Sequence, residues 1–546
     1  MRRAALALLC VACGGAPARS EPPSVSDAMV LLGHVVTLDD DGVAPRAIRV
    51  EAGRITHVSA VDDPALSGRR VDFGDATILP GLVDAHAHLR GIGRAEREVD
   101  LVGTRSIEEV VARVRAVATE TPPGHWIRGR GWDQNDWTTP AFPTHAPLSE
   151  ALPDHPVLLR RVDGHAAWAN ARAMRLASID ASTEDPPGGE VLRDDEGAPT
   201  GVFVDNAVDL LMRQLPAPSD AEIRDDLARA AARCADAGLT GLHDMGVDAR
   251  TLAQLRALEA AGALPIRVVV YLEGSDPGTD ALLDTPPDRE GLVMVDGVKH
   301  YIDGALGSRG AALFDDYDDR PGHRGLLVQS PEALAANARR AHDAGYRVAI
   351  HAIGDRGIAT ALEALGAAEG EDRSPRHRIE HAQVLRPADL ETFVRLGITA
   401  SMQPTHATSD MPWAEARVGP TRIRGAYAWR AVLDAGVPLA FGSDAPVESY
   451  RPALGVYAAV TRQDAEGQPP GGWMPEQRLT TVEALRAFTR GAAAAIERDD
   501  LGVIRVGAVA DLTVFAEDPT TIEASALRDL TPIATVVGGV VRRISP

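Results

Sequence analysis

The chain has 546 residues, 45% of them hydrophobic but only 4% aromatic, and a formal net charge of −22. That length accommodates several domains or one large α/β barrel with additions, with aliphatic side chains enough for a sizeable core. The acidic balance, with no basic block to track a phosphate backbone, argues against nucleic acid and anionic membrane surfaces as partners.

The chain opens "MRRAALALLCVACGG". Arg2 and Arg3 precede an apolar run from Ala4 to Cys13 and then small residues. This is the layout of a secretory signal, too short to span a bilayer as a mature helix. "CVACGG" resembles a bacterial lipoprotein box with Cys13 as the acylated residue, although Cys10 stands where a leucine-like residue is usual. Cleavage further on, near "APARS", is the competing reading. Residues 1–25 are therefore expected to be an export segment and linker, giving a periplasmic protein or a bacterial lipoprotein held by a lipid anchor at Cys13. That leaves Cys234 as the one internal cysteine, with no internal disulfide framework. Its helical spacing with Leu and Ala marks it as a core residue.

After the linker, "AMVLLGHVVTLD" and "AIRVEAGRITHVSA" alternate like short strands. Residues 26–80 and 501–546 together predict a small composite β-sandwich built from both chain ends. Between them, residues 81–500 alternate short buried strands with Ala/Leu/Arg-rich helical stretches such as "PEALAANARRAHDAG". Eight such strands, beginning with "TILPGLVDAHAHL" and ending with "VPLAFGSDAP", predict an α/β fold of the distorted (β/α)8 TIM-barrel type. A long insertion after the first barrel strand, 104–218, carries Trp126, Trp132, Trp137 and Trp168. It reads either as a lid over the barrel mouth or as decoration, its tryptophans either lining a pocket or packing the insertion.

In such a barrel the chemistry sits where strands end. Within "LPGLVDAHAHLR", His86 and His88 are two residues apart and so face the same side of a strand. The fourth strand carries Lys299, the fifth and sixth end in His351 and His381, and the eighth ends in Asp444. Imidazole and carboxylate suit zinc-like divalent ions, so the first pair reads as half of a metal site.

The motifs "PGLVDAHAHL", "VKHYIDGALGSRGAAL", "HAIGDRG", "RIEHAQ" and "FGSDAPV" follow one another across residues 80–450, joined by "DGHAAWAN" and "GVIRVGAVADLTVF". On these the sequence resembles the amidohydrolase superfamily, in particular its amidohydrolase-3 (YtcJ-like) group and the N-substituted formamide deformylase type of hydrolase. The resemblance implies a divalent-metal centre, zinc being the expected ion, with one or two ions per chain. His86, His88 and Asp444 would hold one ion, and His351 and His381 the second. Lys299 would bridge them as an N6-carboxylated lysine, which turns a repelled ammonium into an anionic ligand. An ordinary Lys299 facing Asp303 or a substrate carboxylate is the alternative.

Asp444 is then the catalytic base, and a small molecule the substrate, hydrolysed at an amide, formamide or carbamate-like C–N bond. His165, Ser308, Arg309 and Gln403 are candidate substrate contacts, and His243 and His406 lie near the same rim. Two other readings stay open. One is a mononuclear cyclic-amidase, deaminase or lactonase-type member; the other is a non-catalytic solute-binding lipoprotein on the same scaffold. A homodimer is the default oligomer.

Overall fold

The structure is a computed structural model and describes residues 28–39, 45–369 and 376–544. The expected export segment, with Cys10 and Cys13, lies outside the described residues. Among the described residues no helix is long and apolar enough to cross a membrane.

Eight strands pair in chain order, all parallel: Leu82–Ala87, Leu239–Val247, Arg267–Glu273, Val293–Tyr301, Arg347–Ala352, Arg378–His381, Thr399–Met402 and Leu439–Phe441. Runs such as "RVVVYLE" bury both faces, as strands covered on the outside by helices must. The first and eighth strands meet at a parallel bridge between Ala87 and Ala445. There the Asp444 amide donates to the His86 carbonyl (2.7 Å) and the His88 amide to the Ala445 carbonyl (2.8 Å). The barrel thus nearly closes, and its closing seam runs through the His-x-His motif.

The helix Asp220–Asp236 shows why the outer ring forms. Ser219 and Glu222 make a reciprocal capping box at its start, satisfying amides that have no partner within the helix. Ile223, Leu227, Ala230, Ala231 and Cys234 then recur on one face and are buried against the barrel. Cys234 is a free thiol in that core.

The two chain ends join in one seven-stranded sheet: Met29–Val35, Ala47–Glu51, Arg54–Ser59, Arg69–Pro80, Leu512–Phe515, Pro532–Val537 and Val540–Arg543. The sheet curls over, so that Leu31, Ile48, Val50, Val514 and Val536 share one core. Its far ends meet at Gly53, which has φ +75°; a Cβ there would lie 2.9 Å from the Gly538 carbonyl oxygen, and only glycine fits. Hydrogen bonds from the Gly81 amide to the Asp511 carbonyl and from the Leu82 amide to Thr513 Oγ1 fasten this sheet to the first barrel strand.

The insertion builds a mixed six-stranded sheet of its own: Val99–Asp100, Ile127–Trp132, Val157–Arg161, Ala166–Ala169, Gly189–Arg193 and Pro199–Asp205. Trp132, Trp137 and Trp168 are buried in its core with ring centroids 5.9 to 6.3 Å apart. Trp126 packs on an adjoining cluster. The tryptophans hold the insertion together, and none lines the cleft above the barrel.

Candidate metal centre

His86 and His88 leave the first barrel strand on its inner side, and a partner behind each ring fixes the orientation. His86 Nδ1 lies 2.5 Å from Glu380 Oε2, and His88 Nδ1 lies 2.7 Å from the Met245 carbonyl oxygen. Carbonyl and carboxylate can only accept, so each Nδ1 carries the hydrogen and each Nε2 keeps its lone pair. Both Nε2 atoms converge on Asp444 Oδ1, at 3.3 Å for His86 and 3.1 Å for His88. His86 Nε2 is buried without a hydrogen-bond partner.

His381 and His406 approach the same carboxylate from the other side. The two rings stack at 5.8 Å, and His406 Nε2, also buried without a hydrogen-bond partner, lies 3.6 Å from Asp444 Oδ2. Two groups result, His86–His88–Asp444 and His381–His406–Asp444, each with ligand atoms within 4.8 Å of one another. Buried lone pairs around one carboxylate are the donor set that a zinc-like cation satisfies. His351 completes the ring of imidazoles, 4.6 Å from His381 between centroids.

The backbone accommodates this crowding at a cost. His381, Ala382 and Asp444 have φ of 71°, 44° and 60°, a left-handed conformation that side-chain-bearing residues avoid. Gly442 precedes Asp444 because a Cβ there would sit 2.4 Å from the His86 nitrogen.

Charge is arranged to match. Burial opposes ionisation of Asp444, but the imidazoles of His86 and His88 set against it outweigh that and hold the carboxyl well below the usual range. Burial pushes the imidazoles of His86, His351 and His381 down, toward the neutral form that binds metal. It also pushes the buried Lys299 ammonium down to about 8, against the pull of the Glu380 and Asp444 charges. Asp303 does not face Lys299 with a free carboxylate: it accepts the amides of Ala312, Ile353 and Gly354, at 2.8 to 3.0 Å.

Behind the imidazoles lies a residue that the sequence reading passed over. Glu380 is fully buried between His86 and Arg378, and Arg378 also donates to Ser401 Oγ and the Ala85 carbonyl. Burial opposes the charge on Glu380, but Arg378 and His86 hold it ionised. The available signal was the alternation in "RIEH", which turns Arg378 and Glu380 to one side of the sixth strand.

The remaining candidates divide. His165 reaches the cleft from the insertion: its ring is 4.8 Å from His351, and its Nδ1 lies 2.7 Å from Asp205 Oδ1. Gln403 is buried and holds His381 Nδ1 at 2.9 Å, so it orients an imidazole. Ser308 is buried and bonds to the Ala305 carbonyl, and Arg309 pairs with Asp319, so both side chains fasten their own loop. His243 lies deeper in the barrel, at 3.0 Å from Arg378 Nη1. The cleft above the centre, about 900 Å³, is lined by His88, His165, Tyr301 and the insertion, a size suited to a small molecule.

Comparison with known proteins fits this geometry. A model described as "Amidohydrolase family" matches residues 69–543. The Bacillus subtilis (strain 168) protein YtcJ, an amidohydrolase by name, is 32% identical over 93% of this chain and 97% of its own length. The N-substituted formamide deformylase of Arthrobacter pascens is 29% identical over 94% of this chain and 98% of its own. A metal-dependent hydrolase from Pyrococcus horikoshii superposes with a TM-score of 0.74 at 27% identity, over 91% of this chain and 99% of that structure.

Proposed function

This chain belongs to the amidohydrolase family, and from that premise we propose that it hydrolyses an amide, formamide or carbamate-like C–N bond of a small molecule. The observation that carries the reading is the pair of His/Asp groups meeting at Asp444. His86, His88 and Asp444 would hold one divalent ion, zinc by donor type, and His351 and His381 a second. Lys299 would join them as a carbamate. In its neutral form the buried amine adds carbon dioxide and releases one proton, which yields an anionic two-oxygen ligand where an ammonium would be repelled. A divalent ion supplies Lewis acidity toward a carbonyl oxygen and makes water more acidic.

The protein's own groups do the rest. Asp444, kept ionised, takes a proton from the attacking water and returns it to the departing nitrogen. Glu380 and Gln403 fix the His86 and His381 rings. His165, backed by Asp205, faces the cleft where a carbonyl oxygen would develop charge and can donate to it. Burial opposes protonation of His165, but Asp205 outweighs it and raises the imidazole's affinity for its proton.

Turnover of a formamide and amide panel by metal-loaded protein, abolished by a chelator and restored by metal, tests the reading. No turnover of any amide by metal-replete protein overturns it. A second reading rests on both ligand groups sharing Asp444 while neither includes His351. One ion there would suit ring deamination or lactam or lactone opening, and a lactone panel separates the two. The segment 1–25 further suggests export to the periplasm or to a lipid-anchored position. Cell fractionation with a Cys13→Ser variant checks this: release of the variant from the membrane marks the anchor.

A further inference from the structure

The insertion sheet brings two arginines side by side. Ile127–Trp132 and Val157–Arg161 are parallel neighbours in which Arg130 pairs with Arg160, so both side chains leave the same face. Both line the cleft together with His88 and His165.

Neither has a carboxylate within ion-pair distance among the described residues. Arg130 donates to the backbone carbonyls of Pro446, two residues beyond Asp444, and Val162. Arg160 donates to the Gly164 carbonyl at 2.7 Å, and its Nε is buried with no partner. Glu98 and Asp163, acids whose field reaches Arg160, are already engaged: Glu98 by Arg94 and Arg128, Asp163 by Arg161. Arg161, one residue on, shows the contrast, since Asp133 and Asp163 neutralise it. Burial and the neighbouring cations Arg94 and Arg130 push the Arg160 guanidinium down to about 10. Two partly buried cations held side by side without a counter-ion are an unfavourable arrangement that an incoming anion relieves.

We propose that Arg130 and Arg160 form a carboxylate-binding subsite, so that the substrate carries a carboxylate held at the insertion while its C–N bond lies at the histidines. A guanidinium matches the planar carboxylate with two parallel N–H donors. Acidic residues elsewhere in the cleft, Asp163, Asp205 and Glu273 among them, disfavour an anion of higher charge. This rests on the hydrolase reading for the position of the reacting bond, but the subsite itself needs no turnover.

The test compares binding of 4-acetylbenzoate and 4-nitroacetophenone, which share a shape, differ in charge and hold no amide-like bond to hydrolyse. Calorimetric titration of the metal-loaded protein is expected to favour the carboxylate by tenfold or more, equivalent to about 1.4 kcal/mol. The preference falls in an Arg130→Met/Arg160→Met variant and persists in His86→Ala. Equal binding of the two probes by the unaltered protein overturns the proposal, whatever the variants do. So does a preference that survives the arginine changes and disappears with His86→Ala, since the carboxylate would then sit on the metal. Inorganic phosphate displacing 4-acetylbenzoate at equal concentration also counts against it. Acid preference without hydrolysis of any amide would retain the subsite and reject the hydrolase reading; amide hydrolysis without acid preference would do the reverse.

Discussion

Glu380→Gln separates what the buried carboxylate does for the fold from what it does for the metal. Glu380 has no solvent exposure, touches His86 Nδ1 at 2.5 Å and pairs with Arg378. Glutamine keeps the shape but leaves the Arg378 guanidinium buried among neutral groups: Ser401, His243, the Ala85 carbonyl and the Tyr271 ring. Removing one partner of a buried ion pair costs about 3–5 kcal/mol. Independently, loss of the anion that makes His86 a more basic, fixed ligand should weaken metal binding about 10–100-fold. Urea unfolding of metal-free protein reads the first effect, and chelator competition reads the second. The double variant Arg378→Met/Glu380→Gln removes the stranded charge, so much of the stability should return while metal affinity stays low. Metal affinity within twofold of the unaltered protein in Glu380→Gln would refute the orienting role assigned to Glu380.

Other expectations follow from the same geometry. Asp444→Asn should keep most of its metal through His86 and His88 yet lose about 10²–10⁴ in kcat, read by elemental analysis beside turnover; near-normal rates in metal-replete protein would remove Asp444 from the base role. Trp168→Ala should cost about 3–5 kcal/mol in urea unfolding, because the ring is fully buried among Trp132 and Trp137; a loss under 1 kcal/mol would mean that the insertion core does not depend on it. Glu483, hydrogen-bonded by Arg430 and by the Thr480 cap, has its carboxyl lowered from 4.5 to about 2. A carboxyl lowered on folding stabilises above pH 4.5 and loses that contribution as pH falls toward 2. With Glu483 about a quarter exposed, the advantage over Glu483→Gln should be about 1–2 kcal/mol at pH 7 and shrink below pH 4.5. A gap that stays constant down to pH 2.5 would contradict that linkage.

The barrel was legible because its strands are short apolar runs that end in polar residues, and a period of two places His86 and His88 on one side without knowledge of the fold. What closes the barrel was not legible. The Ala87–Ala445 bridge joins residues more than 350 apart, and only that contact brings Asp444 between His86 and His88. Glu380 was missed because a charged residue in a strand reads as surface, and its burial depends on Arg378 lying on the same face. Gln403 and His406 stand three residues apart after the seventh strand, yet one supports a ring and the other approaches Asp444, a difference that spacing does not encode. The insertion's tryptophans could equally have lined a pocket or packed a core; pairing of its strands buries them. The same pairing sets Arg130 beside Arg160, thirty positions apart in sequence, and no motif announces it.

The most direct test of the account is metal content per chain, measured by elemental analysis on protein purified without chelator, beside His86→Ala. About two equivalents of zinc-like metal, largely lost in the variant, is the predicted result. Protein that binds no metal, even after reconstitution with divalent ions and bicarbonate, would contradict the metal centre and the hydrolytic chemistry built on it.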